Sequence, residues 1–242
     1  MFKKYFKKIY KSRLKKLKNR FNKKLQKETE KYVSILNHDV KTVLLAQIQS
    51  LKLFIDNKAP KEILSELLNS NYFLYEIIDN AVFLSNFEHN QHIMKLENVD
   101  RTSDTDDICN CVKKFAQAKN QNIIIKTNSK KITCKADKFF VNKIIHNLVT
   151  GSISYGSENS NIEISIDENS DVISFQAKNK SVYMTKEKLK NILEDKKTCD
   201  FNQLGMNLNL NIANKLISAH TWDIIAQSNH DNSAVFGFIV KK

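Results

Sequence analysis

The sequence predicts an α+β protein in which a helical hairpin is followed by an α/β sandwich. Three observations carry this. Between residues 32 and 88 apolar side chains recur every three to four positions on both sides of a turn that holds the only proline, Pro60. Beyond residue 107 short β-type runs alternate with helical ones. The chain has 242 residues, 41% of them hydrophobic and 14 of them Phe, which is enough for one large domain or two modest ones.

Residues 1–31 carry 14 Lys/Arg against Glu28 and Glu30, so +12 of the chain's net +13 sits there. Phe2, Phe6, Ile9, Leu14, Leu17, Phe21 and Leu25 recur within it at helical spacing, which predicts a basic amphipathic helix. Three uses compete for it. It can be a solvated leader that lengthens the next helix, a peripheral contact with anionic lipid, or a nucleic-acid arm. They stand in that order, because no recognisable DNA-reading fold follows it. No apolar run is long enough to span a membrane, and the basic start lacks the apolar core of a secretory signal. Cys109, Cys111, Cys134 and Cys199 make no disulfide framework, which points to a reducing compartment. The expected location is therefore cytoplasmic, at the inner membrane face where the arm meets lipid.

The first core helix is expected over 32–56, where Val33, Leu36, Val40, Leu44, Ile48, Leu51 and Ile55 gather on one stripe. Asn57-Lys58-Ala59-Pro60 is the turn, and 61–88 is the second helix. A two-helix hairpin cannot bury both apolar stripes, so two copies are expected to dimerise into a four-helix bundle. The polar, acidic stretch 89–107 reads as a linker. Helices are expected over 107–119, 137–150, 185–194 and 206–219. Strands are expected at 123–125, 132–134, 162–166, 172–175, 222–226 and 234–240, giving helices over one face of a mixed sheet. The domains are thus 1–31, the basic helix; 32–95, the hairpin; and 96–242, the sandwich. Only four glycines occur: Gly151, Gly156, Gly205 and Gly237.

His38 and Thr42 fall opposite the apolar stripe, one turn apart, with Asp39 beside the histidine. A packing histidine would point the other way. An exposed imidazole with an acid next to it and a hydroxyl one turn on looks like a site of chemistry. His89, His92, His146, His220 and His230 show no metal-ligand spacing, and Cys109-x-Cys111 has no second close pair, so no metal site is expected. The lone Trp222 reads as core.

This order of features, over residues 30–242, resembles the cytoplasmic core of two-component sensor histidine kinases. His38, Asp39 and Thr42 match the family's phosphoacceptor His, the acid after it and the Thr four residues on, although Val43 stands where proline is usual. Leu84-Ser85-Asn86-Phe87-Glu88 resembles the end of the second bundle helix. Asp137 with Ile144, Ile145, Asn147 and Leu148 resembles the approach to the asparagine box, and His220 sits where the family often has one. The resemblance implies a sandwich of the histidine-kinase ATPase type.

The nucleotide boxes depart from the family pattern. Asn147 matches the first asparagine of its box, but Gly151 stands at the second, which in the family holds magnesium on the triphosphate. Lys178, in Lys178-Asn179-Lys180-Ser181-Val182, stands where an Asp meets adenine. In Gly205-Met206-Asn207-Leu208-Asn209-Leu210, asparagine replaces glycine at two positions of the turn that receives phosphate. The departures imply loss of ATP binding and leave Asn147 a structural remnant.

The expected function is that of an atypical histidine-kinase-like phosphatase of, or phosphotransferase with, a response regulator receiver domain. By the resemblance, Asp39 orients His38 and Thr42 positions water, while Mg2+ is held by the regulator and this chain holds no cofactor. Two alternatives stay open. One is an active autophosphorylating kinase with a diverged ATP site; the other is a scaffold that sequesters a regulator. Thirty-one residues ahead of the hairpin are too few for a sensor domain, so input is expected through the arm, the sandwich or a partner.

Overall fold

A computed structural model describes residues 40–58, 60–88, 94–128, 132–194 and 206–242, the side chains at 88, 100–104 and 206–207 excepted. The expected basic helix 1–31 lies outside these residues. Helices α1 (Lys41–Ile55) and α2 (Ile63–Glu88) form the hairpin. They meet through buried Gln47, whose amide donates to Ser70 Oγ at 2.7 Å. Leu44, Ile48, Leu51 and Ile55 of α1, with Leu64, Leu68, Ile78 and Val82 of α2, lie exposed on the single chain. The opposite side of α2 is different. Leu74, Ile77, Ala81 and Leu84 are buried against the rest of the molecule.

The linker expected at 89–107 is corrected by the structure. Strand β1 (Glu97–Asp100) and the first turns of helix α3 (Arg101–Ala118) fall inside it. β1 pairs antiparallel with β3 (Thr133–Ala136), Val99 opposite Cys134. The helix start is hidden in sequence because its inner stripe is sparse and small: Thr105, Cys109, Val112 and Ala116 are buried, while Asp106 and Asp107 are exposed. Such a stripe has helical spacing but little hydropathy.

The main sheet has the order β2-β4-β5-β7-β6. Its strands are β2 (Asn122–Thr127), β4 (Asn161–Glu168), β5 (Val172–Lys180), β6 (Asp223–Asn229) and β7 (Ser233–Lys241). β2 and β4 run parallel and the other neighbours antiparallel, so the sheet is mixed. Alternate residues of β4 and β5, such as Ile162, Ile164, Phe175 and Ala177, face the helices. Helices α4 (Lys138–Tyr155), α5 (Lys186–Glu194) and α6 (Met206–Ala219) complete the chain.

Helix α4 is the centre of the core, with Phe140, Val141, Ile144, Ile145, Leu148, Val149 and Ile153 all buried. Asp137 caps its start: the carboxylate accepts from Phe140 N at 3.0 Å and from Lys95 N at 2.7 Å. At the other end the Lys119 ammonium donates to the carbonyls of Ile153, Ser154 and Gly156. That satisfies last-turn acceptors which would otherwise be stranded. Burial holds the Lys119 pKa below the usual lysine range, partly offset by Glu158.

A glycine-poor chain needs another residue for its turns. Asn57, Asn120, Asn159 and Asn232 take positive φ of 55, 52, 54 and 59°. Asparagine tolerates that region better than other side chains because its short amide can bond locally. Thr221, at φ 61°, is the fifth such residue among those described, and its hydroxyl donates to His220 O at 2.6 Å.

Candidate functional site

The two halves of the expected site lie on different elements. Thr42 is exposed in the first turn of α1, away from Gln47, which faces α2. His38, Asp39 and Gly205 lie outside the described residues. Asn147, Gly151 and Lys178 can be placed, on α4 and β5.

Helix α6 lies across α4 beside Thr150 and Gly151. A β-carbon built on Gly151 would come within 2.6 Å of Leu210 Cδ2 and 2.8 Å of its Cγ. The leucine therefore fills the space that any side chain at 151 would need. One residue earlier Thr150 meets Asn209, whose amide donates to Thr150 Oγ1 at 3.0 Å. Asn209 in turn accepts from the Asn80 amide of α2 at 2.6 Å. Asn147 is fully buried and spends its amide on Lys143 O, in its own helix, at 2.8 Å. Among the described residues its Oδ1 has no partner.

Lys178 does not reach this region. It lies on the exposed face of β5, in register with Glu163 and Val235. The inward residue is its neighbour, Asn179, buried and donating to Ser152 O of α4 at 2.6 Å. Strand alternation fixes this: Phe175, Ala177 and Asn179 share one face, and Lys178 takes the other. Counting parity from Phe175 would have found Asn179.

The remaining candidates have structural surroundings. His220 bridges the ends of two helices: its Nδ1 lies 2.9 Å from Leu216 O, and its Nε2 accepts from Asp137 N at 3.3 Å. Because a carbonyl only accepts and an amide only donates, these contacts select the neutral ring with its proton on Nδ1. Trp222 is half-buried, stacked between His220 and Phe238. His230 stacks on Tyr183. Cys109 points into the core while Cys111 is exposed, so the two diverge; burial, helped by Asp106, pushes the Cys109 thiol up to about 12. Among the described residues no three His, Cys, Asp or Glu side chains are grouped to hold a metal ion. None of the described helices is long and apolar enough to cross a membrane.

One face of α2 docks on the same wall. Tyr72 packs edge-on to Phe115, Glu76 pairs with His146 at 2.9 Å, and Asp79 pairs with Lys143. Further along, Phe83 and Phe87 pack on Phe140. The Glu76–His146 and Asp79–Lys143 contacts border an open groove of about 300 Å³. Asn80 is completely buried, and so is its contact with Asn209. Breaking that contact would strand an amide at a cost of about 1–3 kcal/mol. Sequence reasoning missed Asn80 because an asparagine inside an apolar stripe carries no local signal of its distant partner.

No protein-family model and no curated protein matches the sequence. Solved structures share the fold. The catalytic domain of the histidine kinase ThkA matches at 20% identity with a TM-score of 0.55, over 62% of this chain and 97% of that one. The Acinetobacter baumannii histidine kinase AdeS matches at 16% identity and TM-score 0.60, over 84% and 97% of the two chains. ThkA in complex with the response regulator TrrA matches at 19% identity and TM-score 0.60, over 91% of this chain and 66% of that one. The chain thus has an α+β architecture whose sandwich is the ATPase fold of histidine kinases.

Proposed function

We propose that this chain is a histidine-kinase-like protein that does not bind ATP and acts as the phosphatase of, or phosphotransferase with, a response regulator. The observation that carries the proposal is the filled wall at Gly151. Leu210 occupies the space at the second asparagine position, and Asn209 is tied to Thr150 and Asn80. A phosphate cradle needs open backbone amides and glycine at its turn. Here the chain's own side chains take that room. Thr42, by contrast, stays exposed on α1. A fold relative, ThkA, has been captured with its regulator, which supports a receiver domain as the partner.

In this mechanism the regulator supplies the aspartyl phosphate and the Mg2+ that neutralises it. Thr42 orients a water for in-line attack on phosphorus. The bond between phosphorus and the carboxylate oxygen breaks, the regulator's aspartate is left as a free carboxylate, and inorganic phosphate departs with the water's oxygen and protons. Catalysis is then positioning and charge neutralisation, with no nucleotide needed. His38, held by Asp39, takes or returns the phosphoryl group in the transfer reaction. Two copies pair through the exposed stripe of Leu44, Ile48 and Leu51 into a four-helix bundle, a face too apolar to stay in water. Residues 1–31 either lengthen the first helix of the hairpin or meet anionic lipid, the two uses that stand first for them.

The test is to mix the protein with a phosphorylated regulator, with and without ATP. Label should leave the regulator faster in the presence of wild-type protein, and Thr42→Ala should lose at least about tenfold of that acceleration. An unchanged rate in the variant refutes the role of Thr42. Label incorporated from ATP, and lost in His38→Ala, would establish an autokinase instead. Regulator binding with no change in phosphate lifetime would establish a scaffold.

A further inference from the structure

We propose that the altered phosphate-binding wall serves as an interdomain latch. Asn209 lies in the first turn of α6, at a position where, by the resemblance, the family carries glycine. Here it receives the Asn80 amide of α2, so hairpin and sandwich move as one body. The inference concerns how the two halves are joined, and it stands whether or not the chain acts on a regulator.

Two properties of the contact support this. The first is register. Tyr72, Glu76, Asp79, Asn80, Phe83 and Phe87 are spaced 4, 3, 1, 3 and 4 residues apart along α2 and face the same side. The first four meet Phe115, His146, Lys143 and Asn209 in turn, and Phe83 and Phe87 share the Phe139–Phe140 pair. A slip of one turn would set Asn80 against His146 and leave both Asn209 and Glu76 without a match. The acids lie on the hairpin and the bases on the sandwich, which sets the polarity of docking.

The second is the choice of asparagine. A docking helix that only needed affinity would place leucine at a fully buried position like 80. A buried amide facing a single acceptor penalises every other register, and polar core residues in helical assemblies are known to serve that purpose. The acceptor sits on α6, and α6 is held to α4 through Thr150. The chain Asn80–Asn209–Thr150 therefore runs from the hairpin into the centre of the sandwich core.

Hydrogen exchange on the full-length protein tests the latch without any phosphoryl chemistry. Asn209→Ala and Asn80→Ala should each speed exchange of the amides of residues 76–88 by about tenfold, with α4 unchanged. The double variant should exchange little faster than either single one. A second pair keeps the test open if these variants fold poorly. Glu76→Lys should loosen the same amides, and adding His146→Glu should restore protection. Unchanged exchange at 76–88 in both alanine variants overturns the latch. So does equal acceleration throughout α4, which would make the asparagine pair ordinary core.

Discussion

Leu210 of α6 lies directly over Gly151 of α4, with its Cδ2 2.6 Å from where a β-carbon on the glycine would stand. The missing side chain and the leucine are therefore two halves of one packing solution. Gly151→Asn alone forces the leucine to move and should cost about 1–3 kcal/mol in urea unfolding. Combined with Leu210→Gly it should cost less than the two single changes added together, because the space is then shared. Simple additivity would mean that the two residues are not in contact.

A second tight approach lies in the sheet. A β-carbon on Gly237 of β7 would fall 2.1 Å from Phe175 O, a backbone atom that cannot swing aside. Gly237→Ala should therefore destabilise by about 3 kcal/mol or more. Near-wild-type denaturation of that variant would refute the β5–β7 geometry.

Cys109 gives a pH dependence whose sign can be worked out. Its folded-state pKa is raised from 9.0 to about 12 by burial and by Asp106. Between those values the unfolded chain has lost the thiol proton and the native one keeps it. Stability from this group is full below pH 9 and falls by about 1.4 kcal/mol per pH unit above it. Denaturation midpoints should drop over pH 9–11 in wild type and less steeply in Cys109→Ala. At pH 8 an alkylating reagent should label exposed Cys111 and spare Cys109, which peptide mapping would show. Labelling of both would place Cys109 at the surface.

Lys119 closes the end of α4 through three carbonyls. Lys119→Met keeps the aliphatic stem but leaves those acceptors to water or unpaired. A loss of about 1–3 kcal/mol is expected, with faster exchange in the last turn of α4. Stability equal to wild type would show that solvent replaces the ammonium fully.

The order of helices and strands was legible in the sequence because apolar period follows secondary structure. The stripes of 63–84 and 140–153 and the alternation at 162–166 and 172–175 each describe a face that must be buried. Where the local signal was weak, the expectation failed. Residues 97–107 are polar and hold only Thr105 of the buried stripe of α3, so they read as a linker although they contain β1 and the start of that helix. The altered boxes were visible as residue types. Lys178 showed how far that goes, since one residue of shift along a strand reverses the face and puts Asn179 inside.

By itself, then, the sequence determined most of the elements and the concentration of positive charge in residues 1–31. Only the tertiary structure decided that Leu210 fills the space at Gly151 and that Asn80 bonds Asn209 from 129 residues away. The physical reason lies in range. Periodicity and turn chemistry act over a few residues and leave a trace in local order. Whether a buried group finds a partner depends on where the whole chain brings two distant faces together.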